Sequence, residues 1–135
     1  MSSDKPTKLT ANIKAYGCAA KISASELAQI VGSLPQFSSE NLLCGTKNFE
    51  DAAVYKINDE LAIISTIDFF PPVVDDPFMY GKIAAVNALS DVYAMGGKPL
   101  LALNVFCFPT CDFPLELAEQ IIAGGAEAMK EANCL

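Results

Sequence analysis

The feature that most constrains this chain is the stretch from residue 63 to residue 103, IISTIDFFPPVVDDPFMYGKIAAVNALSDVYAMGGKPLLAL. It carries its own punctuation. Residues 63–67 form a short apolar, β-branched run, the pattern of a strand buried on both faces. The run ends at Asp68, where Pro71-Pro72 and the acidic pair Asp75-Asp76 break the chain. Pro77 suits a first helical turn, Asp75 or Asp76 suits the cap, and Gly96-Gly97 suits the stop. The spacing therefore predicts a helix over residues 77–95. Inside it, Asn87 and Asp91 lie four apart and share one face, which Ile83, Val86, Leu89, Val92 and Tyr93 mostly avoid. A strand-end carboxylate, with a carboxylate and a carboxamide on one helical stripe, is a donor set for a hard cation. The same residues also fit a turn aspartate and a solvated helix face, and the pattern alone leaves both readings open.

Just upstream, residues 52–57 read as a strand and Asn58-Asp59-Glu60 as a tight turn into the strand at residues 61–67. Two strands so joined form an antiparallel hairpin. Asp51 begins the first strand and Asp68 ends the second, so both belong to the open end of the hairpin. Two neighbouring carboxylates repel, and such a pair usually has a metal, a proton or a cation between them.

The rest of the chain frames this unit. Ser23-Ala24-Ser25-Glu26 is a capping-box pattern opening a helix with Leu27, Ile30, Val31 and Leu34 on one stripe, ending before Pro35. Residues 35–48 read as a loop. Residues 100–108 read as a third, buried strand, and residues 109–114 as a loop. A second long helix is expected over residues 115–132, with Leu117, Ile121, Ile122, Ala126 and Met129 inward. Gly124-Gly125 inside it costs roughly 1 kcal/mol each against Ala, which points to close packing or a kink there. Residues 1–22 show little periodicity and read as a mobile arm. Within the arm, Cys18 stands three residues before Lys21; a nearby cation lowers a thiol pKa and favours the nucleophilic thiolate. Lys98, after the glycine pair, is a lesser phosphate candidate and reads first as a solvated turn lysine.

Composition excludes several classes. The chain has 135 residues, 52% of them hydrophobic and 19% charged, enough for one domain with its own core. The net charge of −7 argues against a general nucleic-acid binder. No apolar run approaches the ~20 residues of a membrane span, and the N-terminus has no signal-peptide pattern. Five Cys and no His argue against a disulfide scaffold or a zinc site and for a reducing, cytoplasmic compartment. Cys44, Cys107, Cys111 and Cys134 read as ordinary buried or surface thiols.

Taken together, GCAAKIS around Cys18 and Lys21, ENLLCG at 40–45, EDAAVY at 50–55, ISTIDFFPPVVDDPFMYG at 64–81, IAAVNALSDVYAMGGKP at 83–99 and ALNVFCFP at 102–109 resemble the selenophosphate synthetases (selenide, water dikinases). The likeness runs from about residue 9 to the last. EDAAVY and NALSDVYAMGG also resemble the wider superfamily of aminoimidazole ribonucleotide synthetase-like ATP enzymes. The resemblance implies an α+β fold: the amino-terminal domain of that superfamily, a mixed β-sheet with helices on one face and a sheet edge used for dimerisation. It implies that residues 23–135 form this domain, without its last strand and without a second domain.

The activity implied is conversion of ATP, selenide and water to selenophosphate, AMP and phosphate with Mg²⁺. The implied metal ligands are Asp51, Asp68 and Asp91. Lys21, Asp68, Asn87 and Asp91 would face the ATP phosphates, and Cys18 and Lys21 would be catalytic. A homodimer and a selenium-delivery protein are the implied partners, with no nucleic acid and no membrane. Two departures stand out. The arm reads Gly17-Cys18-Ala19-Ala20-Lys21 where the family often has Gly-Cys-Gly-Cys-Lys, and the family's chains are more than twice this length. The segment alone is therefore expected to be inactive. The alternatives are a dimerisation or nucleotide-binding module without catalysis, and a paralogous ATP-dependent enzyme of the same superfamily.

Overall fold

The computed structural model describes residues 8–11, 13–35, 38–45 and 50–135. Its regular elements begin with α1, Ala24–Gly32, opened by the expected capping box. The Glu26 amide donates to Ser23 Oγ and the Ser23 amide to Glu26 Oε2, both at 3.3 Å, satisfying two donors that a helix start otherwise leaves orphaned. The stripe expected on α1 is present but uncovered: the helix buries no residue, and Ile30 is half exposed.

The hairpin forms as expected, slightly shorter at each end. Strand β2, Ala53–Lys56, pairs antiparallel with β3, Ala62–Ser65, in the register Tyr55 to Ile63 and Ala53 to Ser65. The turn closes through the Ile57 amide on the Leu61 carbonyl (2.9 Å) and the Glu60 amide on Asn58 Oδ1 (2.9 Å). The segment read as a loop holds one strand, β1, Leu42–Cys44, on the outer side of β2. It is three residues long, with a register irregularity between Leu42 and Cys44. A strand that short has no periodicity to read.

Helix α2, Pro77–Ala94, starts and stops where its punctuation says. Asp76 caps it, with Oδ1 accepting the Met79 amide at 2.6 Å, and Pro77 stands in the first turn. At the other end Gly96 takes φ +73°, the Gly97 amide reaches the Val92 carbonyl (2.9 Å) and the Gly96 amide the Tyr93 carbonyl (2.9 Å). These are the two bonds of a Schellman stop. Helix α3, Leu115–Glu131, ends the same way with Asn133 at φ +53° in the left-handed position.

The α2–α3 contact is made possible by missing side chains. A Cβ on Gly124 would stand 1.9 Å from the Phe78 carbonyl oxygen, and one on Gly81 would stand 1.8 Å from that of Ile121. The helices therefore touch backbone to backbone. Lys82 bridges the rim, donating to Glu127 (2.9 Å) and Glu131 (2.8 Å), and both carboxylates push its pKa up from 10.5. On α3 the inward positions are Ile121, Gly124 and Ala128; Ile122 and Ala126, expected inward, are exposed. The glycine contact sets the rotation of the helix and leaves Ile122 and Ala126 away from α2. The buried apolar side chains among the described residues are Leu9, Ala52, Leu89, Ile121, Ala128 and Cys134.

Residues 100–108 do not form the expected buried strand. They are extended but unladdered, with Leu101 73% and Leu103 88% exposed. A strand is stabilised by neighbours on its edges, and among the described residues the chain comes back alongside at Leu135. The Leu135 amide donates to the Leu100 carbonyl (3.0 Å) and the Ala102 amide to the Leu135 carbonyl (2.7 Å). That pair is the hydrogen-bond pattern of a parallel neighbour. It stands apart from the three-stranded sheet, whose pairs are both antiparallel, so the mixed sheet expected from the sequence is not formed among the described residues.

Candidate functional site

The site is built where β3 and the residues that follow it, 66–68, meet α2. Alternate residues of a strand lie on one face, about 6.6 Å apart, and residues four apart on a helix repeat every ~6 Å. Ile64, Thr66 and Asp68 point toward α2 in that alternation, while Ile63, Ile67 and Phe69 face outward, each more than half exposed. Three rungs result. Ile64 packs against Gly97, where a Cβ would stand 2.3 Å from Ile64 Cδ1. Thr66 Oγ1 lies 2.8 Å from Asp91 Oδ2 and donates to it. Asp68 Oδ2 accepts the Asn87 carboxamide.

The Asp68 carboxylate is enclosed, with its side chain 6% exposed. An enclosed carboxylate needs partners on both oxygens. Asn87 satisfies Oδ2, and Lys21, arriving from the arm, forms an ion pair with Oδ1. Lys21 and Asn87 lie 66 positions apart in the chain and meet on one carboxylate.

Asp51 sits at the open end of the hairpin. Extending the register places it opposite Ile67, beside both Thr66 and Asp68. Its recorded contact is through the backbone, the carbonyl lying 3.4 Å from Thr66 Oγ1, and its side chain is exposed. Thr66 thus reaches both Asp91 and Asp51. It escaped the sequence reading, although the period-two series Ile64, Thr66, Asp68 contains the signal that would have found it. Lys98 is exposed. The side chain of Cys18 lies outside the described residues; its backbone belongs to the short 3-10 turn Gly17–Ala20.

Every acceptor in this group is oxygen, the donor type that suits Mg²⁺ or another hard cation. The aspartates are engaged separately, Asp68 by Lys21 and Asn87 and Asp91 by Thr66, the arrangement that repulsion among like charges favours. Among the described residues no three acidic, Cys or His side chains converge on one point. The donor chemistry fits a hard cation, and convergence of the three carboxylates would have to accompany its binding.

The arm is seated on the loop that links Asp68 to α2. Leu9 is 5% exposed, the Thr10 amide (3.0 Å) and Oγ1 (2.7 Å) both donate to Asp75 Oδ1, and Gly17 lies against Val73. Those two bonds lower the Asp75 pKa from its ordinary 3.8. Tyr80 pins the same loop from below, its hydroxyl donating to the Phe70 carbonyl at 2.7 Å, and burial raises its pKa above 10.0.

The sequence profile described as AIR synthase related protein, N-terminal domain, matches residues 49–135, which include β2, β3, α2 and the three aspartates. The chain belongs to that family. Individual relatives of this AIR synthase related domain carry a more specific name. A selenide, water dikinase of Clostridium botulinum (strain Eklund 17B / Type B) is 51% identical over 131 residues, covering 97% of this chain and 38% of the relative. Proteins of the same name from Shewanella sp. (strain MR-4) and Clostridioides difficile (strain 630) are 49% and 51% identical, over 100% and 95% of this chain and 39% and 37% of theirs. The domain thus spans about two fifths of the length of these relatives.

Proposed function

We propose that this chain is the amino-terminal part of a selenide, water dikinase, an ATP-dependent phosphotransferase that makes selenophosphate, AMP and phosphate from ATP, selenide and water. The observation that carries the proposal is the meeting of Lys21 and Asn87 on the enclosed carboxylate of Asp68, with Asn87 one helical turn before Asp91 on α2. It gathers the arm lysine, the strand-end aspartate and the helix stripe on which the likeness to the dikinases rests. Names shared at about half identity over nearly the whole chain support the same reading.

In this reading Asp51, Asp68 and Asp91 hold Mg²⁺, whose chemistry when bound is to neutralise and orient the phosphates of ATP. Asn87 offers a neutral donor beside them and holds Asp68 in place. Lys21 supplies a positive charge for the transferred or leaving phosphate and, in the structure, balances Asp68. Cys18 receives selenide and orients it. The arm covers the nucleotide and keeps water out until it is required. A cytoplasmic location and a selenium-delivery partner complete the proposal; Cys44, Cys107, Cys111 and Cys134 are free thiols, as a reducing compartment requires.

A second part of the proposal concerns the outer face of the sheet. Leu42, Tyr55 and Ile63 form one cross-strand row, each 42–53% exposed, flanked by Ile67 and Phe69. Contiguous exposed apolar surface of this kind marks a contact site, and a second copy of the chain is its proposed occupant, giving a homodimer through the sheet.

The test is phosphorus NMR of the full-length protein carrying this segment, supplied with ATP, Mg²⁺ and selenide. A selenophosphate signal with equal AMP is expected, lost in Asp68→Asn. The 135-residue segment alone is expected to release no AMP. ATP turnover indifferent to selenide would overturn the assignment, and Cys18→Ser with undiminished selenide-dependent AMP would remove Cys18 from its role.

A further inference from the structure

The arm is held at two points on one loop. At its far end Lys21 binds Asp68; at its near end Thr10 donates twice to Asp75 Oδ1, from its amide (3.0 Å) and from its hydroxyl (2.7 Å). Leu9, next to Thr10, is buried, and Gly17 rests on Val73 between the two ends. Asp68, Val73 and Asp75 belong to the same eight-residue loop, from 68 to 75, so the two anchors are parts of one cradle. We infer that Thr10 and Asp75 form a latch that positions Lys21 over Asp68. They are positioning residues: neither touches Asp68, and both act through the path of the arm.

The physical case rests on chain entropy. Lys21 is eleven residues beyond Thr10, and its side chain is 41% exposed, so an arm with no near anchor would sample much space before Lys21 met Asp68. A fixed point at Thr10 shortens the free segment and raises the effective concentration of Lys21 at Asp68. Asp75 suits the task because Asp76, not Asp75, caps α2, which leaves the Asp75 carboxylate for the arm. The loop in turn is fixed by the Tyr80 hydroxyl on the Phe70 carbonyl. The inference deepens the reading of Lys21 under Proposed function and rests on its contact with Asp68.

The experiment is acetylation of lysines on the intact chain with a limiting amine reagent, followed by peptide mass spectrometry, with exposed Lys98 and Lys130 as internal references. Thr10→Val and Asp75→Asn are expected to raise the relative rate at Lys21 about fivefold, the loss of a net hydrogen-bond contribution at the latch. Thr10→Ser keeps the hydroxyl and is expected to restore the parent rate. The melting temperature should fall by no more than about 4 °C in Thr10→Val and Asp75→Asn, the share of a bond worth about 1 kcal/mol, and stay at the parent value in Thr10→Ser. Asp68→Asn, which removes the far anchor's charge, should raise Lys21 labelling on its own. Parent-like labelling in Thr10→Val and Asp75→Asn, with raised labelling in Asp68→Asn, would overturn the latch and leave the Lys21–Asp68 contact standing. Unchanged labelling in Asp68→Asn would overturn that contact and the latch with it. A general rise at every lysine, with the melting temperature lowered well beyond about 4 °C, would also overturn the latch, because the two residues would then only support the fold.

Discussion

Two adjacent glycines in α3 should respond to the same substitution with opposite signs. At Gly124 an added methyl would stand 1.9 Å from the Phe78 carbonyl oxygen, 2.8 Å from its carbon and 3.0 Å from the Lys82 amide nitrogen. Ordinary carbon contacts begin at about 3.5 Å, so α2 and α3 would have to part by roughly 1.5 Å. The obstacle is backbone, which cannot turn aside as a side chain can. Overpacking of this kind costs about 1–3 kcal/mol or more, against which the better helix propensity of Ala returns about 1 kcal/mol. Separation would also uncover Ile121 and Ala128, so a net loss of about 2–3 kcal/mol is expected for Gly124→Ala. At Gly125 the nearest atoms are the Gly81 carbonyl oxygen at 3.7 Å and Ala85 Cβ at 4.0 Å. There the propensity gain stands alone, and Gly125→Ala should stabilise by up to about 1 kcal/mol. At about 4 °C per kcal/mol for a chain of this size, Gly124→Ala should melt about 10 °C lower and Gly125→Ala a few degrees higher, read by circular dichroism at 222 nm. Equal shifts of the same sign in both variants would refute the backbone contact between α2 and α3.

Three further outcomes follow from the structure. Thr66→Val removes the donor shared by Asp91 and the Asp51 carbonyl and should destabilise by about 1–2 kcal/mol in urea unfolding, with Thr66→Ser close to the parent. The Asp75 pKa is lowered by its bonds from Thr10, with a smaller contribution from the charge of Lys8, so its stabilising effect is fully present above the ordinary value of 3.8 and is lost as pH falls through the lower folded value. The Thr10 amide resonance should accordingly stay fixed from pH 8 to pH 5 and move only below about pH 4, with the movement absent in Asp75→Asn. Ile63→Asp places a charge in the exposed Leu42–Tyr55–Ile63 row, and light scattering is expected to find a dimer for the parent and a monomer for the variant.

What could be read from the sequence was what short-range chemistry decides. Ser23 with Glu26, Asp76 with Pro77, and Gly96 after Met95 each act within a few residues, and each element starts or stops where they say. The hairpin was legible for the same reason, and with it the placement of Asp51 and Asp68 at one end. Gly124-Gly125 was legible as close packing, though only Gly124 makes it. Contacts that depend on how elements meet were hidden. Nothing local marks Leu42–Cys44 as a strand, since its partner lies in β2. An apolar run at residues 100–108 announces burial, but burial needs a neighbour, and the described chain comes alongside only at Leu135. The period-two series put Thr66 on the face of Asp68, but its role, like that of Thr10, shows only once its acceptor, Asp91 or Asp75, is in place.

The central claim is that Asp68, held by Lys21 and Asn87, is part of the phosphate and metal site of an ATP-dependent enzyme. The most direct test is a crystal structure with Mg²⁺ and a non-hydrolysable ATP analogue. The account predicts an ion contacting Asp68 and Asp91, phosphate oxygens beside Asn87, and Lys21 moved from Asp68 to a phosphate. A nucleotide bound elsewhere, with the Lys21–Asp68–Asn87 contacts unchanged, would contradict it.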